Sequence, residues 1–289
     1  MLQVARLAPR LLGDASRDLV IGFLQSRINE DGGFKDRAGG SDLYYTVFGC
    51  EAMLALRADL PFASIASYLR RFGNGDGLDF VHQACLARAW ADLPKEYRGQ
   101  VPGDGILAGI ESHRSGDGGY DSRPGSAQGT AYGCFLALGA YQDLGAEPPR
   151  SRAMLTCLEN LRAEDGGYAN QPDLPTGLTT ATAAAVTLLR QFKASVAPEL
   201  APWLLARCHA DGGFFANPAA PVPDLLSTAT ALHALAGMQA SFEEIKEPCL
   251  DFVDTLWTNR GGFYGSWGDD TLDCEYTYYG LLALGHLSL

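Results

Sequence analysis

The chain has 289 residues, 47% of them hydrophobic, which is long enough to bury a sizeable core. Its formal net charge is −12. Such acidity argues against nucleic-acid binding and against binding to an anionic membrane by charge, so peripheral membrane contact would need a small apolar patch. The seven cysteines occur singly and charged residues interrupt the N-terminal apolar stretch, a pattern typical of a reduced, cytoplasmic protein.

A short phrase, two glycines followed by an aromatic residue, recurs along the chain. A degraded copy, GNGDGLDF, lies at 73–80, where the spacing of the others requires one. Self-similarity at a fixed period predicts about six units of about 45 residues. The five clear copies are EDGGF at 30–34, GDGGY at 116–120, EDGGY at 164–168, ADGGF at 210–214 and RGGF at 260–263.

Each unit contains two helical stretches separated by this phrase. The first is amphipathic, as in 16–28 and 151–162, and we expect Gly-Gly to end it because glycine accepts left-handed backbone angles. The second is apolar, free of proline and longer than a typical strand. No strand pair is expected. The second stretches are 42–56, 79–91, 127–141, 177–192, 224–238 and 273–287.

The two helices of a unit differ in polarity, and this predicts their layers. A helix that is apolar nearly all round is buried on both sides, whereas one with a polar face lies outside. Six pairs suffice to close a ring, which removes the ends that an open solenoid must cap. The predicted fold is therefore all-α, an (α/α)6 toroid over residues 1–289 as one domain, with inner helices around a central cavity.

The turn phrase in FLQSRINEDGGF (23–34) and the last apolar helix, DCEYTYYGLLALG (273–285), resemble the repeats of the terpenoid cyclase and protein prenyltransferase β-subunit superfamily. This resemblance also implies an (α/α)6 toroid. Where zinc-dependent prenyltransferases carry a Cys and a His ligand, this chain has Ser227 and Tyr276, which argues against zinc. Gln128 stands where their diphosphate-contacting His is found. His82, at the matching point of the second inner helix, is interpreted as a hydrogen-bonded residue in preference to a ligand.

Class II terpene cyclases protonate an alkene with an Asp-x-Asp-Asp-Thr-Ala motif. The nearest stretch here, DLLSTA at 224–229, keeps the first Asp and the Thr-Ala, but Leu226 and Ser227 replace the other carboxylates. The resemblance therefore implies a cyclase-like activity whose acid lies elsewhere.

Four inner helices begin with aspartate, at Asp42, Asp79, Asp224 and Asp273, and the other two begin near Ser126 and Thr176. These residues are good N-caps. If the helix starts share one rim, crowded carboxylates raise each other's pKa and make a general acid or a Mg²⁺ site. The candidate acids are Asp270, Asp273 and Asp224, two of them in the most acidic stretch, WGDDTLDCE (267–275).

Below this rim, aromatic side chains on the inner helices either fill the core or line a cavity for an isoprenoid chain, where ring faces stabilise a carbocation. Three functions stay open: an acid-initiated cyclase acting on a polyprenyl or terpenoid molecule, a prenyltransferase relative that needs a partner subunit, and a non-catalytic toroid that binds an isoprenoid or a protein. The candidate binding residues are Asp42, Tyr45, Phe48, Asp79, His82, Gln128, Tyr132, Ser227, Glu275, Tyr276 and Tyr279.

Overall fold

A computed structural model describes residues 1–99 and 101–289, and these ranges are mostly helical. The predicted helices form because long apolar runs rich in Ala and Leu favour helix once burial rewards them. A 3-10 turn, Glu243–Ile245, precedes the thirteenth helix. The α-helices are α1 Leu2–Ala5, α2 Pro9–Ser26, α3 Leu43–Ala55, α4 Phe62–Arg70, α5 Phe80–Asp92, α6 Lys95–Arg98, α7 Gly103–Glu111, α8 Ala131–Asp143, α9 Ser151–Asn160, α10 Thr179–Gln191, α11 Leu200–Leu205, α12 Leu225–Gly237, α13 Lys246–Leu256 and α14 Cys274–Leu287.

The chain divides into two compact units. Unit 1 comprises residues 1–60 and 198–289, and unit 2 comprises residues 61–197. In unit 1, α14 packs between α3 and α12, and in unit 2, α8 packs between α5 and α10. These six helices carry much of the buried core, as their apolar sequences predict. The prediction of one domain over residues 1–289 stays a prediction.

Two predictions of local structure are wrong. The first helices end before the Gly-Gly phrase, since α2 stops at Ser26 while Asp31 opens the turn. The turn is instead a small hairpin in which Ile28 bridges Phe34. A two-stranded antiparallel ribbon, β1 (Phe34–Lys35) and β2 (Ser41–Asp42), follows it, although no strand pair was expected. Glycine is still required, because Gly32 has φ of 94°, a left-handed conformation that side chains disfavour.

In three repeats the recurrent phrase fastens its turn to the helix that follows it. The Asp31 carboxylate accepts hydrogen bonds from the Gly33 amide at 3.1 Å and from the Ser41 hydroxyl at 2.6 Å. The aromatic residue is buried, and its amide donates to a threonine hydroxyl one turn inside the next inner helix. Three such bonds, each 2.9 Å long, join Phe34 to Thr46, Tyr168 to Thr182 and Phe214 to Thr228. The repeat therefore encodes a turn-to-helix clamp.

Candidate active site at the start of the last inner helix

The predicted capping aspartates are confirmed. Asp42, Asp79, Asp224 and Asp273 are the N-caps of α3, α5, α12 and α14, and each carboxylate accepts from the backbone N–H three residues on. Such a cap satisfies an amide donor that the helix leaves unpaired.

The predicted starts near Ser126 and Thr176 are wrong. Helix α8 begins four residues later than predicted, and Thr130 caps it through a hydrogen bond from the Gly133 amide. Helix α10 has Leu178 at its N-cap position and no side-chain cap. In both repeats the predicted position lies in the turn, where the Asp117 and Asp165 carboxylates accept from the amides of Gly129 and Gly177.

Asp273 differs from an ordinary cap because it is completely buried. One of its oxygens caps Tyr276, and the other accepts from Nε of Arg37 at 2.8 Å. The same guanidinium donates from Nη2 to Asp269 at 2.8 Å and lies 5.6 Å from the ring centre of Tyr276. Burial raises the pKa of Asp273, and the bonds from Tyr276 and Arg37 oppose that rise.

Glu275 lies two residues farther on, at the first turn of α14. Its Oε1 accepts a 2.6 Å hydrogen bond from the Tyr44 hydroxyl on α3. The pKa of Glu275 is raised to about 7. Burial is the main cause and the Asp273 charge adds to it, while the Tyr44 hydrogen bond and the Arg37 charge oppose the rise. A carboxyl with this pKa holds a proton in about half of the molecules at neutral pH. Glu275 is therefore the residue here best suited to act as a general acid.

A third carboxyl of this unit, Asp224, starts the neighbouring helix α12. Its two oxygens accept from the backbone amide and the hydroxyl of Ser227 at 2.7 and 2.8 Å. Burial is the main cause that raises its pKa. The pKa of Tyr276 is raised to about 12, mainly by burial. The charges of Glu275, Asp224 and Asp273 add to this rise. The charges of three predicted residues at the starts of α12 and α14 thus act on the same tyrosine hydroxyl.

An aromatic cluster joins α3 to α14 beside Glu275. Tyr44 meets Tyr45 and Phe48 edge to face, with ring centres 5.6 and 4.9 Å apart. Phe48 in turn lies 5.4 Å from Tyr279 and 5.7 Å from Tyr278. Tyr44, Tyr45, Phe48 and Tyr279 are only half-buried. Their rings provide an electron-rich surface next to the Glu275 carboxyl.

Asp270 is in a different setting. It is exposed, and its carboxylate accepts from the Thr271 hydroxyl at 3.3 Å. With Leu272 it borders a groove of about 630 Å³ against the outer helix α2, where Leu19, Phe23 and Arg27 also lie. Asp270 therefore lies on the outer side of α14's starting segment, away from the aromatic cluster of α3 and α14.

The other predicted site residues lie in unit 2. The Asp79 carboxylate caps α5 and contacts Nδ1 of His82 at 2.8 Å. Burial alone would raise the pKa of Asp79, but the hydrogen bonds from His82 outweigh it and lower this pKa overall. Gln128 is exposed in the turn before α8. Tyr132 is 42% exposed, and its amide donates to Asn170. These residues make a second, more open set of helix starts.

Metal binding has no prepared site in the part of the chain that the structure describes, since no three His, Cys, Asp or Glu side chains are grouped to hold an ion. None of the described helices is both long and apolar enough to cross a membrane. Asp269 and Asp273, which precede α14, have a protein cation, Arg37, as their counter-charge.

Sequence reasoning missed Arg37 and gave Tyr44 no role at the acid site. Arg37 is an exposed residue of the loop between β1 and β2, and its partners Asp269 and Asp273 are more than 230 residues away. One signal was present: Arg37 directly follows a turn whose hairpin leads into α3, and α3 packs on α14. A cation in that loop is therefore placed near the acidic stretch 267–275.

The fold is that of known α/α toroids. A variant of the type II terpene cyclase MstE from Scytonema, solved with geranylgeranyl dihydroxybenzoate, superimposes with a TM-score of 0.63 at 11% identity, covering 99% of this chain and 97% of that one. A protein from Actinoplanes gives 0.63 at 16% identity, with 96% and 100% coverage. The α-1,6-mannanase GH76A of Salegentibacter gives 0.61 at 11% identity, with 95% and 98% coverage.

The sequence comparison is more restricted. The prenyltransferase alpha-alpha toroid domain family matches residues 182–288, which contain α11 to α14 and hence Asp224, Asp273 and Glu275. No curated protein matches the sequence. The predicted fold class, an all-α toroid, is confirmed, and the family match over residues 182–288 agrees with the predicted toroid superfamily. Because the structural relatives include both a terpene cyclase and a mannanase, the fold by itself does not assign a reaction.

Proposed function

We propose that this protein is a terpene cyclase-like enzyme of the acid-initiated type, acting on a polyprenyl or terpenoid substrate, with Glu275 as the general acid. The observation that carries the proposal is the Glu275 carboxyl, whose pKa is raised to about 7 by burial, next to the half-buried aromatic cluster of α3 and α14. Acid initiation requires a proton at one place and an electron-rich surface for the resulting cation at the next.

The charges around Glu275 indicate an uncharged substrate head. Its surroundings contain the carboxyls of Asp273 and Asp269 and the guanidinium of Arg37, which both of these carboxyls already engage. A diphosphate would meet net negative charge here, and phosphates are normally held by unpaired Arg, Lys or amide donors. A hydrocarbon, alcohol or epoxide end suits the site better. The terpene cyclase among the structural relatives supports this chemistry by likeness of fold.

In this proposal the predicted acids take different roles. Asp224 and Asp273 cap α12 and α14 and set the charge around Glu275, and Asp273 is the second candidate for the acid. Asp270, exposed in the outer groove, is the weakest candidate. Tyr45, Phe48, Tyr276 and Tyr279 would contact the chain of the substrate.

The test is turnover of a panel of polyprenes, squalene, geranylgeraniol and geranylgeranyl diphosphate, followed by mass spectrometry of cyclic products. We expect product from an uncharged member of the panel and a fall in kcat of about 10²–10⁴-fold in Glu275→Gln, the usual contribution of a general acid. Glu244→Gln, an exposed carboxyl outside the site, is the matched control and should keep full activity.

Other outcomes assign other functions. Full activity in Glu275→Gln together with loss in Asp273→Asn would transfer the acid role to Asp273. Absence of turnover with a lipid retained in native mass spectrometry would identify a binding toroid, the second function that the sequence left open. Transfer of a prenyl group to a thiol, only after a partner subunit and zinc are added, would identify a prenyltransferase relative.

A further inference from the structure

Arg37 connects the first turn of the chain to the start of the last helix in unit 1. Its Nε donates to the buried Asp273 and its Nη2 to Asp269, both at 2.8 Å. Glu275, by contrast, has a neutral partner, the Tyr44 hydroxyl at 2.6 Å. Two carboxyls separated by one residue thus have unequal partners, since one has a bonded cation and the other a phenol.

We propose that Arg37 is a positioning residue that keeps Asp273 ionised and so leaves the exchangeable proton of this carboxyl pair on Glu275. The inference concerns where the proton is held, and only its consequence for turnover rests on the proposed function. A hydrogen-bonded guanidinium favours the ionised form of a carboxyl much more than a tyrosine hydroxyl does. A carboxylate at Asp273 in turn disfavours a second negative charge nearby.

The charged groups around the pair act in both directions, and the hydrogen bond from Arg37 to Asp273 is what distinguishes the two carboxyls. From the β1–β2 loop comes Arg37, which opposes protonation of both carboxyls. From the segment before α14 comes Asp269, which raises the pKa of Asp273. From α3 come the hydroxyls of Tyr44 and Tyr45, and the pKa of Tyr45 is raised by burial and then by Asp273 and Glu275. Asp224 of α12 faces Tyr276, which lies between the helices.

The consequence for catalysis is a window of pH. The active form holds a proton on Glu275 and none on Asp273, so activity falls at high pH when Glu275 ionises and at low pH when Asp273 gains its own proton. Without Arg37 the second event moves towards neutrality, which raises the acidic limit of the window. The basic limit rises by less, because Arg37 acts on Glu275 through its charge alone and on Asp273 through a hydrogen bond as well.

The experiment is a carboxyl-carbon NMR titration of the full chain labelled at Asp and Glu side chains, with resonances assigned through Asp273→Asn and Glu275→Gln. We expect Glu275 to titrate near neutral pH and Asp273 well below it. In Arg37→Gln the Asp273 midpoint should rise by about one pH unit or more. Arg37→Lys, which keeps the charge, should restore most of the difference.

Two further variants keep the result decisive. Arg123→Gln removes an exposed loop arginine that pairs with Asp121 in unit 2 and should leave both midpoints unchanged. Asp269→Asn removes the competing carboxylate and should lower the Asp273 midpoint, which can be measured even if Arg37→Gln does not fold. An unchanged Asp273 midpoint in a folded Arg37→Gln protein would overturn the inference. Because the titration needs no substrate, its result does not depend on whether the proposed function is correct.

Discussion

Two carboxyl groups of this protein have similar partners and opposite pKa shifts. In unit 2, Glu111 at the end of α7 accepts hydrogen bonds from Tyr120 and Tyr141, each at 2.9 Å, and from Arg114. Burial acts against its charge, yet these three donors lower its pKa overall. In unit 1, Glu275 has one tyrosine and no bonded arginine, and its pKa is raised to about 7.

The difference shows that burial and bonded partners together decide protonation. Both carboxyls accept from phenols, but Glu275 loses more of its solvation than Glu111, and this burial is the main cause that raises its pKa. Glu111 also has a bonded guanidinium, and such a charge-assisted bond is about twice as strong as a neutral one. Glu111 is therefore a permanently charged structural anchor, whereas Glu275 can exchange a proton. Each prediction below perturbs one side of this comparison.

The largest expected effect is that of Glu111→Gln. The amide oxygen of Gln can still accept a hydrogen bond, but it carries no charge to neutralise Arg114, whose side chain is only 6% exposed. The other acceptors of Arg114, the carbonyls of Gly118 and Pro149 and the Tyr120 hydroxyl, are also neutral. We expect a loss of about 2–3 kcal/mol in the free energy of unfolding, less than for a fully buried pair because Glu111 is 32% exposed. Urea unfolding at pH 7 measures it. Glu244→Gln should change stability by less than about 0.5 kcal/mol, and an equal loss in both variants would contradict the assignment.

The next effect is a pH dependence of opposite sign at the two residues. The folded pKa of Glu275, about 7, lies above its ordinary value of 4.5, so the folded state holds a proton that the unfolded chain releases, and stability falls as pH rises between these values. The folded pKa of Glu111 is lowered, so its contribution is present above the unfolded pKa and is lost as pH falls.

Glu275→Gln removes only the first of these dependences. Between pH 5 and pH 8 the wild type should lose about 2 kcal/mol of unfolding free energy that the variant keeps, a figure reduced for partial exposure. Urea unfolding at the two pH values provides the comparison. Parallel curves for the two proteins would mean that Glu275 is ionised throughout this range in the wild type.

The parts of the structure that could be predicted are those that depend on residues close together in sequence. The helices and the aspartate caps follow from apolar runs and from Asp at their starts, which act within a few residues. The late start of α8 was missed because Ser126 and Thr130 are equally good caps in isolation. Only the folded turn, in which Asp117 holds the Gly129 amide, decides between them.

The chemistry of the candidate site was less predictable, because its partners are far apart in sequence. The acidic stretch 267–275 directed attention to the segment that contains Glu275, yet it favoured Asp270 and Asp273 over Glu275. The distinction comes from Arg37 and Tyr44, which are 236 and 231 residues from their partners. No period or motif links such pairs, so their roles follow only once α3 and α14 are packed together.

The smallest expected effect comes from single tyrosine hydroxyls. Tyr141→Phe removes a donor to the charged Glu111, and Tyr44→Phe removes the donor to Glu275. Each should cost about 1 kcal/mol in unfolding free energy. The cost of Tyr44→Phe should be larger at pH 8 than at pH 5, because an ionised acceptor makes the stronger bond, whereas the cost of Tyr141→Phe should be the same at both. A pH-independent cost in Tyr44→Phe, measured by urea unfolding, would show that Glu275 does not exchange its proton in this range.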